Sequence, residues 1–108
     1  MKFAQRPRDL RKAFGASVVI TDLVSEQTKI TRICNLSVNG CFLSTPTPFD
    51  KGAMLRIVIV HAGAKVVALG CVAYAGSEGM GIAFTKIEPH YRAVLDQWMS
   101  DLAATKSR

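Results

Sequence analysis

A chain of 108 residues, 49% hydrophobic and 20% charged, is long enough for one modest core and has a globular rather than a disordered composition. Its formal net charge of +6 favours anionic ligands. No apolar run approaches the roughly 18 residues of a membrane-spanning helix, and no apolar segment follows the basic N-terminus as in a secretory signal. We therefore expect a single domain with no membrane span, located in the cytoplasm.

The first predicted unit is a flexible basic N-terminal segment, residues 1–16. Pro7 and Gly15 oppose a helix in this region. Five of the fourteen basic residues fall here against one acid, Asp9, and they are Lys2, Arg6, Arg8, Arg11 and Lys12. Such a local positive field attracts phosphate groups, although the charge by itself also fits a solvated tail.

The second predicted unit, residues 17–104, begins with strands. Six short segments alternate apolar and polar residues or are rich in β-branched residues, and turn residues separate them. These predicted strands cover 17–23, 28–34, 41–44, 54–61, 65–74 and 80–85. Such a succession indicates a small antiparallel barrel or sandwich.

A change of period marks a terminal helix. Glu88 and Pro89 fit an N-cap residue followed by proline at the first helical position. Apolar side chains then recur at steps of three and four residues, and they are Tyr91, Val94, Leu95, Trp98 and Leu102. We expect Trp98 to anchor this amphipathic helix against the barrel.

Residues 35–40, with the sequence Asn-Leu-Ser-Val-Asn-Gly, lie between the second and third predicted strands. Asn39 and Gly40 form a strong hairpin signal, since both tolerate positive φ. Asn35 and Ser37 are not explained by that turn. They lie two positions apart, which places them on one side of a strand, where an amide and a hydroxyl can bond a ligand. The alternative is that they only cap the turn through nearby backbone groups.

The chain carries few other candidates for chemistry. Cys34, Cys41 and Cys71 form no Cys-x-x-Cys pair, and each lies in an apolar run, so we expect buried, reduced thiols. His61 and His90 have no carboxylate or cysteine at a useful spacing, so no metal site is predicted. We find no catalytic set, and we expect a protein that is not an enzyme.

The pattern Asn-x-Ser-x-x-Gly after a strand, preceded by an arginine-rich segment, resembles the PilZ domain family. The strand around Gly79 and Phe84 and the helix after it also fit that family, so the resemblance covers about residues 6–102. It implies a mainly β fold, a six-stranded antiparallel β-barrel of the split-barrel type with a C-terminal amphipathic helix. It also implies binding of the bacterial second messenger cyclic di-GMP as a ligand, with no cofactor and no metal.

The family's two signatures identify the site residues that the resemblance implies. Asp/Asn-x-Ser-x-x-Gly is matched in full, whereas the earlier Arg-x-x-x-Arg is met only by Arg8 and Lys12, as Arg-x-x-x-Lys. The resemblance then implies a ligand-binding set of Arg6, Arg8, Arg11, Lys12, Asn35, Ser37 and Gly40.

The expected mechanism is binding without chemistry. Cyclic di-GMP would lie near Asn35 and Ser37, the basic segment would fold over it, and the ordering of that segment would be read by a protein partner of unknown identity. The imperfect arginine spacing leaves open a PilZ-like domain that has lost the nucleotide and acts through protein contacts. A small basic barrel that binds nucleic acid is a further, less favoured alternative.

Overall fold

The computed structural model describes the backbone of residues 12–106 and the side chains of residues 14–103. These residues form six strands and one helix: β1 Lys12–Asp22, β2 Thr28–Ser37, β3 Gly40–Ser44, β4 Met54–His61, β5 Ala64–Gly76, β6 Gly79–Lys86 and α1 Pro89–Lys106. The strands close into an antiparallel barrel in the order β1-β2-β3-β6-β5-β4. The predicted fold class, a six-stranded antiparallel barrel with a C-terminal helix, is confirmed.

Strand alternation fills the barrel. In β1 the residues Phe14, Val18 and Ile20 point inward and are buried, whereas Ser17 and Val19 between them are exposed. The other strands repeat the alternation and supply fully buried side chains, namely Ile33, Leu43, Leu55, Ile57, Ile59, Val66, Met80 and Ile82. The core is therefore built from one face of every strand, as expected for side chains that alternate along a pleated sheet.

The beginning of β1 differs from the prediction. β1 starts at Lys12, so residues 12–16 belong to the barrel, although the sequence was expected to be irregular as far as residue 16. Phe14 and Ala16 continue the inward alternation, and the register with β2 shifts between Ala13 and Ala16, which accommodates Gly15. The remaining part of the predicted basic segment, residues 1–11, lies outside the described residues.

The helix covers the barrel through an aromatic cluster. Trp98 is 5% exposed, and its ring lies 5.5 Å from the ring of Phe14 and 5.3 Å from that of His61. The first helical hydrogen bond runs from the Arg92 amide to the Glu88 carbonyl, at 2.8 Å. The predicted helix start and the anchoring role of Trp98 are thus confirmed.

The three cysteines are free thiols, but they are not all buried. Cys41 is buried and Cys71 half-buried, whereas Cys34 is exposed. Cys34 follows the inward-facing Ile33, so strand alternation alone places its side chain outside. The register shift of β2 on β3 between Ile33 and Asn35 then keeps Asn35 facing outward as well. The expectation of three buried thiols was therefore wrong for Cys34.

Candidate functional site

The hydroxyl of Ser37 closes the turn between β2 and β3. It accepts a hydrogen bond from the Asn39 amide at 3.2 Å and donates one to the Gly40 carbonyl at 3.3 Å. Ser37 is only 2% exposed. Its hydroxyl therefore performs the capping role that the sequence left open as the alternative to ligand contact.

The same turn is tied to two distant elements. The Asn39 carbonyl accepts a hydrogen bond from the Phe84 amide of β6 at 2.9 Å. The Val38 carbonyl accepts one from Nη1 of Arg92 in α1 at 3.0 Å. Both turn carbonyls are thereby occupied, and the hairpin is fixed against the barrel and the helix.

Gly40 is a strand residue, not a turn residue. The two-residue turn consists of Val38 and Asn39, and Gly40 begins β3 opposite Ser37. Neither Asn39 nor Gly40 is among the described residues that have positive φ. A Cβ at Gly40 would overlap the backbone carbonyl of Ile82 in β6. The expectation that Asn39 and Gly40 provide positive φ was wrong; glycine is needed here because β6 passes so closely.

Asn35 lies in an outward-facing row that crosses four strands. Its cross-strand partner in β3 is Phe42, whose partner in β6 is Gly81, whose partner in β5 is Tyr74. The rings of Phe42 and Tyr74 stack at 6.1 Å, and Tyr74 is 38% exposed. Asn35 itself is half-buried. This row, which we call the aromatic row, joins an amide to two ring faces on the outside of the barrel.

Phe42 and Tyr74 are not among the site residues predicted from the sequence, because core packing was the favoured interpretation for them over stacking with bases. The signal lay in β3, where the inward positions of Cys41 and Leu43 leave Phe42 outside. Beside the ring pair lies a cavity of about 330 Å³, lined by Phe42, Tyr74, Gly76, Ser77, Glu78 and Gly79. An open cavity next to stacked ring faces can accept a planar heterocycle.

The start of β1 joins this surface. The backbone of Lys12 pairs with Leu36 and that of Ala13 pairs with Asn35. The chain that precedes Lys12 is therefore joined to the barrel beside residues 35–40, which we call the hexapeptide. Arg6, Arg8 and Arg11 lie outside the described residues, and only the backbone of Lys12 is described.

The described residues form neither a metal-binding cluster nor a membrane-spanning helix. Within residues 12–106, no group of three His, Cys, Asp or Glu side chains is arranged to hold a metal ion. In the same part of the chain, no helix has both the length and the apolar character needed to cross a membrane.

Comparison with known proteins places the chain in a family. A family model described as PilZ domain matches residues 5–101. No sequence among the curated proteins matches the chain.

Three solved structures share the fold. The Bacillus subtilis inhibitor of motility MotI/DgrA is 21% identical with a TM-score of 0.77, over 96% of this chain and 54% of that one. The PilZ domain of CeSA from a cellulose-synthesizing bacterium is 14% identical with a TM-score of 0.70, over 87% and 98%. The PilZ domain of Escherichia coli YcgR, solved with c-di-GMP, is 17% identical with a TM-score of 0.72, over 94% of each chain.

This chain spans about half the length of the MotI/DgrA chain and nearly all of the other two. At these identities the structures establish the fold alone. The family itself follows from the family model, which matches all but the two ends of the sequence. The barrel, the terminal helix and the hexapeptide all agree with this match. The chain belongs to the PilZ domain family.

Proposed function

We propose that this protein is a non-enzymatic receptor module for cyclic di-GMP, and that binding orders its basic N-terminal segment into a surface read by a protein partner. The observation that carries the proposal is the register of β1 on β2. It pairs the backbone of Lys12 and Ala13, the residues that directly follow the arginine-rich segment in sequence, with Leu36 and Asn35, in a chain that matches the PilZ domain model. The PilZ domain of YcgR, which has the same fold, was solved with c-di-GMP.

The chemistry of the site matches the two parts of such a ligand. Guanine offers hydrogen-bonding edges and a flat face, and the aromatic row offers the Asn35 amide and the rings of Phe42 and Tyr74. The phosphates of the ligand carry negative charge, which Arg8, Arg11 and Lys12 would neutralise. Binding, rather than bond making or breaking, is what these groups are suited to do.

The covalent chain keeps the arginines within reach. Arg8 is four residues before Lys12, and a fully extended chain spans at most about 3.6 Å per residue. The Arg8 Cα therefore lies within about 14 Å of the Lys12 Cα on any path. An arginine side chain adds several ångströms, so both Arg8 and Arg11 can reach a ligand that lies on Asn35.

The roles of Ser37 and Gly40 in this proposal follow from their contacts. Ser37 contributes by holding the turn, because its hydroxyl already bonds Asn39 and the Gly40 carbonyl. Gly40 contributes by letting β3 approach β6, which sets the position of the hexapeptide. Asn35 is the member of the hexapeptide that we expect to contact the base.

Lysine at position 12 is expected to lower the affinity for the ligand. Its ammonium attracts phosphate but cannot form the planar two-point contact that arginine makes with guanine. One such contact is worth about 1–3 kcal/mol, which is about one to two decades in affinity. We therefore expect binding weaker than that of a site with two correctly spaced arginines, unless Arg11 supplies the second contact.

The proposal is tested by isothermal titration calorimetry of the full chain with cyclic di-GMP. Arg8→Ala combined with Arg11→Ala is expected to abolish binding. The matched control, Lys51→Ala combined with Arg56→Ala, removes the same charge from exposed positions in a turn and in β4 and is expected to bind normally.

A single-stranded oligonucleotide, titrated at low and high salt, completes the test. Nucleic-acid binding would fall steeply with salt and would favour the oligonucleotide over the cyclic dinucleotide. Absence of nucleotide binding by the unmodified chain would instead support the alternative of a family member that acts through protein contacts alone. Equal affinity of the Arg8/Arg11 variant and the control would refute the proposed placement.

A further inference from the structure

An apolar strip crosses the outside of the barrel at a level of the strands away from the aromatic row. The strand register puts Ile30 of β2, Val19 of β1, Val58 of β4 and Val67 of β5 in one continuous row. Ile30 is 80% exposed and Val19 36% exposed, and Val58 and Val67 are half-buried. We call these four residues the apolar strip. Four aliphatic side chains side by side on four strands form a contiguous surface, unlike scattered exposed residues.

Cations flank the strip on both sides. One neighbouring row contains Arg32, Ser17, Val60 and Lys65. The other contains Thr28, Thr21, Arg56, Leu69 and Lys86. The three rows together hold four basic residues and no acidic residue. Aliphatic contacts in the centre and positive charge at both margins define the chemistry of this surface.

The four basic side chains on this surface are not paired with other groups in the described part of the chain. None of the four basic residues forms a hydrogen bond or ion pair with another described residue. Three of them, Arg56, Lys65 and Lys86, also line a cavity of about 370 Å³ where the barrel meets the start of α1. Glu88 is the one acidic residue in that lining, so the cavity has a surplus of positive charge.

We propose that this surface docks an acidic, amphipathic segment of a partner protein. Its apolar side chains would cover the strip, and its aspartates and glutamates would lie over the flanking cations, with one carboxylate in the cavity. The charge pattern itself argues against a second copy of this chain, because two such faces would bring like charges together.

Other macromolecules fit the surface less well. Single-stranded nucleic acid is held by successive aromatic side chains on which bases stack, whereas the three rows contain none and the lining of the cavity contains one, Tyr91. A membrane-surface contact typically uses aromatic and leucine side chains that insert between lipids, whereas the centre of this face is three valines and one isoleucine. The observations therefore favour a protein partner.

The size of the surface predicts a transient contact. Four strands and three rows span about 19 Å by about 13 Å. The resulting area of about 250 Å² is well below the roughly 800 Å² per partner of stable complexes. Ile30 also lies five residues along β2 from Asn35, about 17 Å away. The docking surface is thus separate from the nucleotide site, and the inference does not depend on the proposed function.

The test is a selection of random peptides on the immobilised full chain, followed by affinity measurement of the selected peptides. Peptides that combine Asp or Glu with Leu, Ile, Val or Phe are expected to be enriched. Val19→Thr with Ile30→Thr, which keeps β-branched side chains, is expected to weaken their binding about tenfold or more. Arg56→Gln with Lys65→Gln is expected to do the same.

Matched controls lie outside the three rows. Val24→Thr changes a residue that is 87% exposed, and Lys51→Gln removes an exposed charge; neither is expected to alter peptide binding. Enrichment of basic peptides, or binding that survives both double substitutions, would overturn the proposal. So would binding to phosphatidylglycerol vesicles or to a single-stranded oligonucleotide that is tighter than binding to the selected peptides and is lost on the Arg56→Gln with Lys65→Gln substitution.

Discussion

Replacing Gly40 by alanine tests the account of the hexapeptide most directly. The added Cβ would overlap the Ile82 carbonyl and approach the Ala83 Cα at 3.4 Å, so backbone of β6 must move. Overpacking costs about 1–3 kcal/mol, and the upper end applies because a strand backbone yields less than a side chain. Replacing a glycine also lowers the conformational entropy of the unfolded chain, which offsets about 0.5–1 kcal/mol of this loss of stability. The expected net loss is about 2 kcal/mol, or about 10 °C in Tm.

The assay uses the chain's one tryptophan. Trp98 is buried against Phe14 and His61, so urea unfolding moves its fluorescence toward that of an exposed indole. Gly76→Ala is the matched control, because a Cβ at Gly76 meets nothing within 4 Å and its φ is not in the strained range. The control should be neutral or slightly stabilised, by about 0.5–1 kcal/mol at most.

A second substitution separates the two explanations for this glycine. Asparagine tolerates positive φ, so it would restore stability if Gly40 were needed for the conformation of a turn. The close approach of β6 predicts the opposite, namely that Gly40→Asn is at least as destabilised as Gly40→Ala. Equal stability of the Gly40→Ala and Gly76→Ala variants, or rescue by asparagine, would refute the reasoning from β6.

Three other measurements probe the site and the fold. Ser37→Ala should lower the free energy of unfolding by about 0.5–1.5 kcal/mol, because the buried Ser37 hydroxyl caps an exposed turn by accepting a hydrogen bond from the Asn39 amide; unchanged stability would contradict that role. Trp98→Ala should lower the free energy of unfolding by about 3–5 kcal/mol, and Trp98→Phe by clearly less, in urea titrations followed by circular dichroism; equal loss in the two variants, or none, would contradict the anchoring role. Maleimide should label Cys34 faster than Cys41, and cyclic di-GMP should slow the labelling of Cys34, next to Asn35; labelling at an unchanged rate would place the ligand elsewhere.

The fold could be predicted from the sequence because the patterns that specify its strands and helix are local in the chain. Leu55, Ile57 and Ile59 alternate with outward-facing residues within one strand, and a period of two specifies a strand without reference to the rest of the chain. Glu88 and Pro89 likewise specify the helix start through the groups of a single turn. Where the local signal was ambiguous, at residues 12–16, the prediction missed the first part of β1.

The candidate site could be predicted only in part, because its residues are constrained by contacts with residues that are distant in sequence. The need for glycine at position 40 arises from the Ile82 carbonyl, and the Val38 carbonyl is bonded by Arg92, 54 residues later. The pairing of Phe42 with Tyr74 depends on the order of β3, β6 and β5 in the barrel. A hairpin signal can predict that a turn exists, but not which neighbouring strand constrains each of its residues.

The closure of the barrel limits how this protein can be recognised. Each of the six strands in the described part of the chain is hydrogen-bonded on both sides over part of its length, so only short rows of backbone donors and acceptors are left without a strand partner. Such rows lie at residues 28–31 of β2 and 64–68 of β5. A partner that adds a strand to the sheet, a mode in which main-chain groups supply the affinity, can therefore pair with a few residues at most. Where a strand is paired on both sides, recognition relies on the side chains of the outer rows, and surface substitutions that leave the barrel intact can map those contacts.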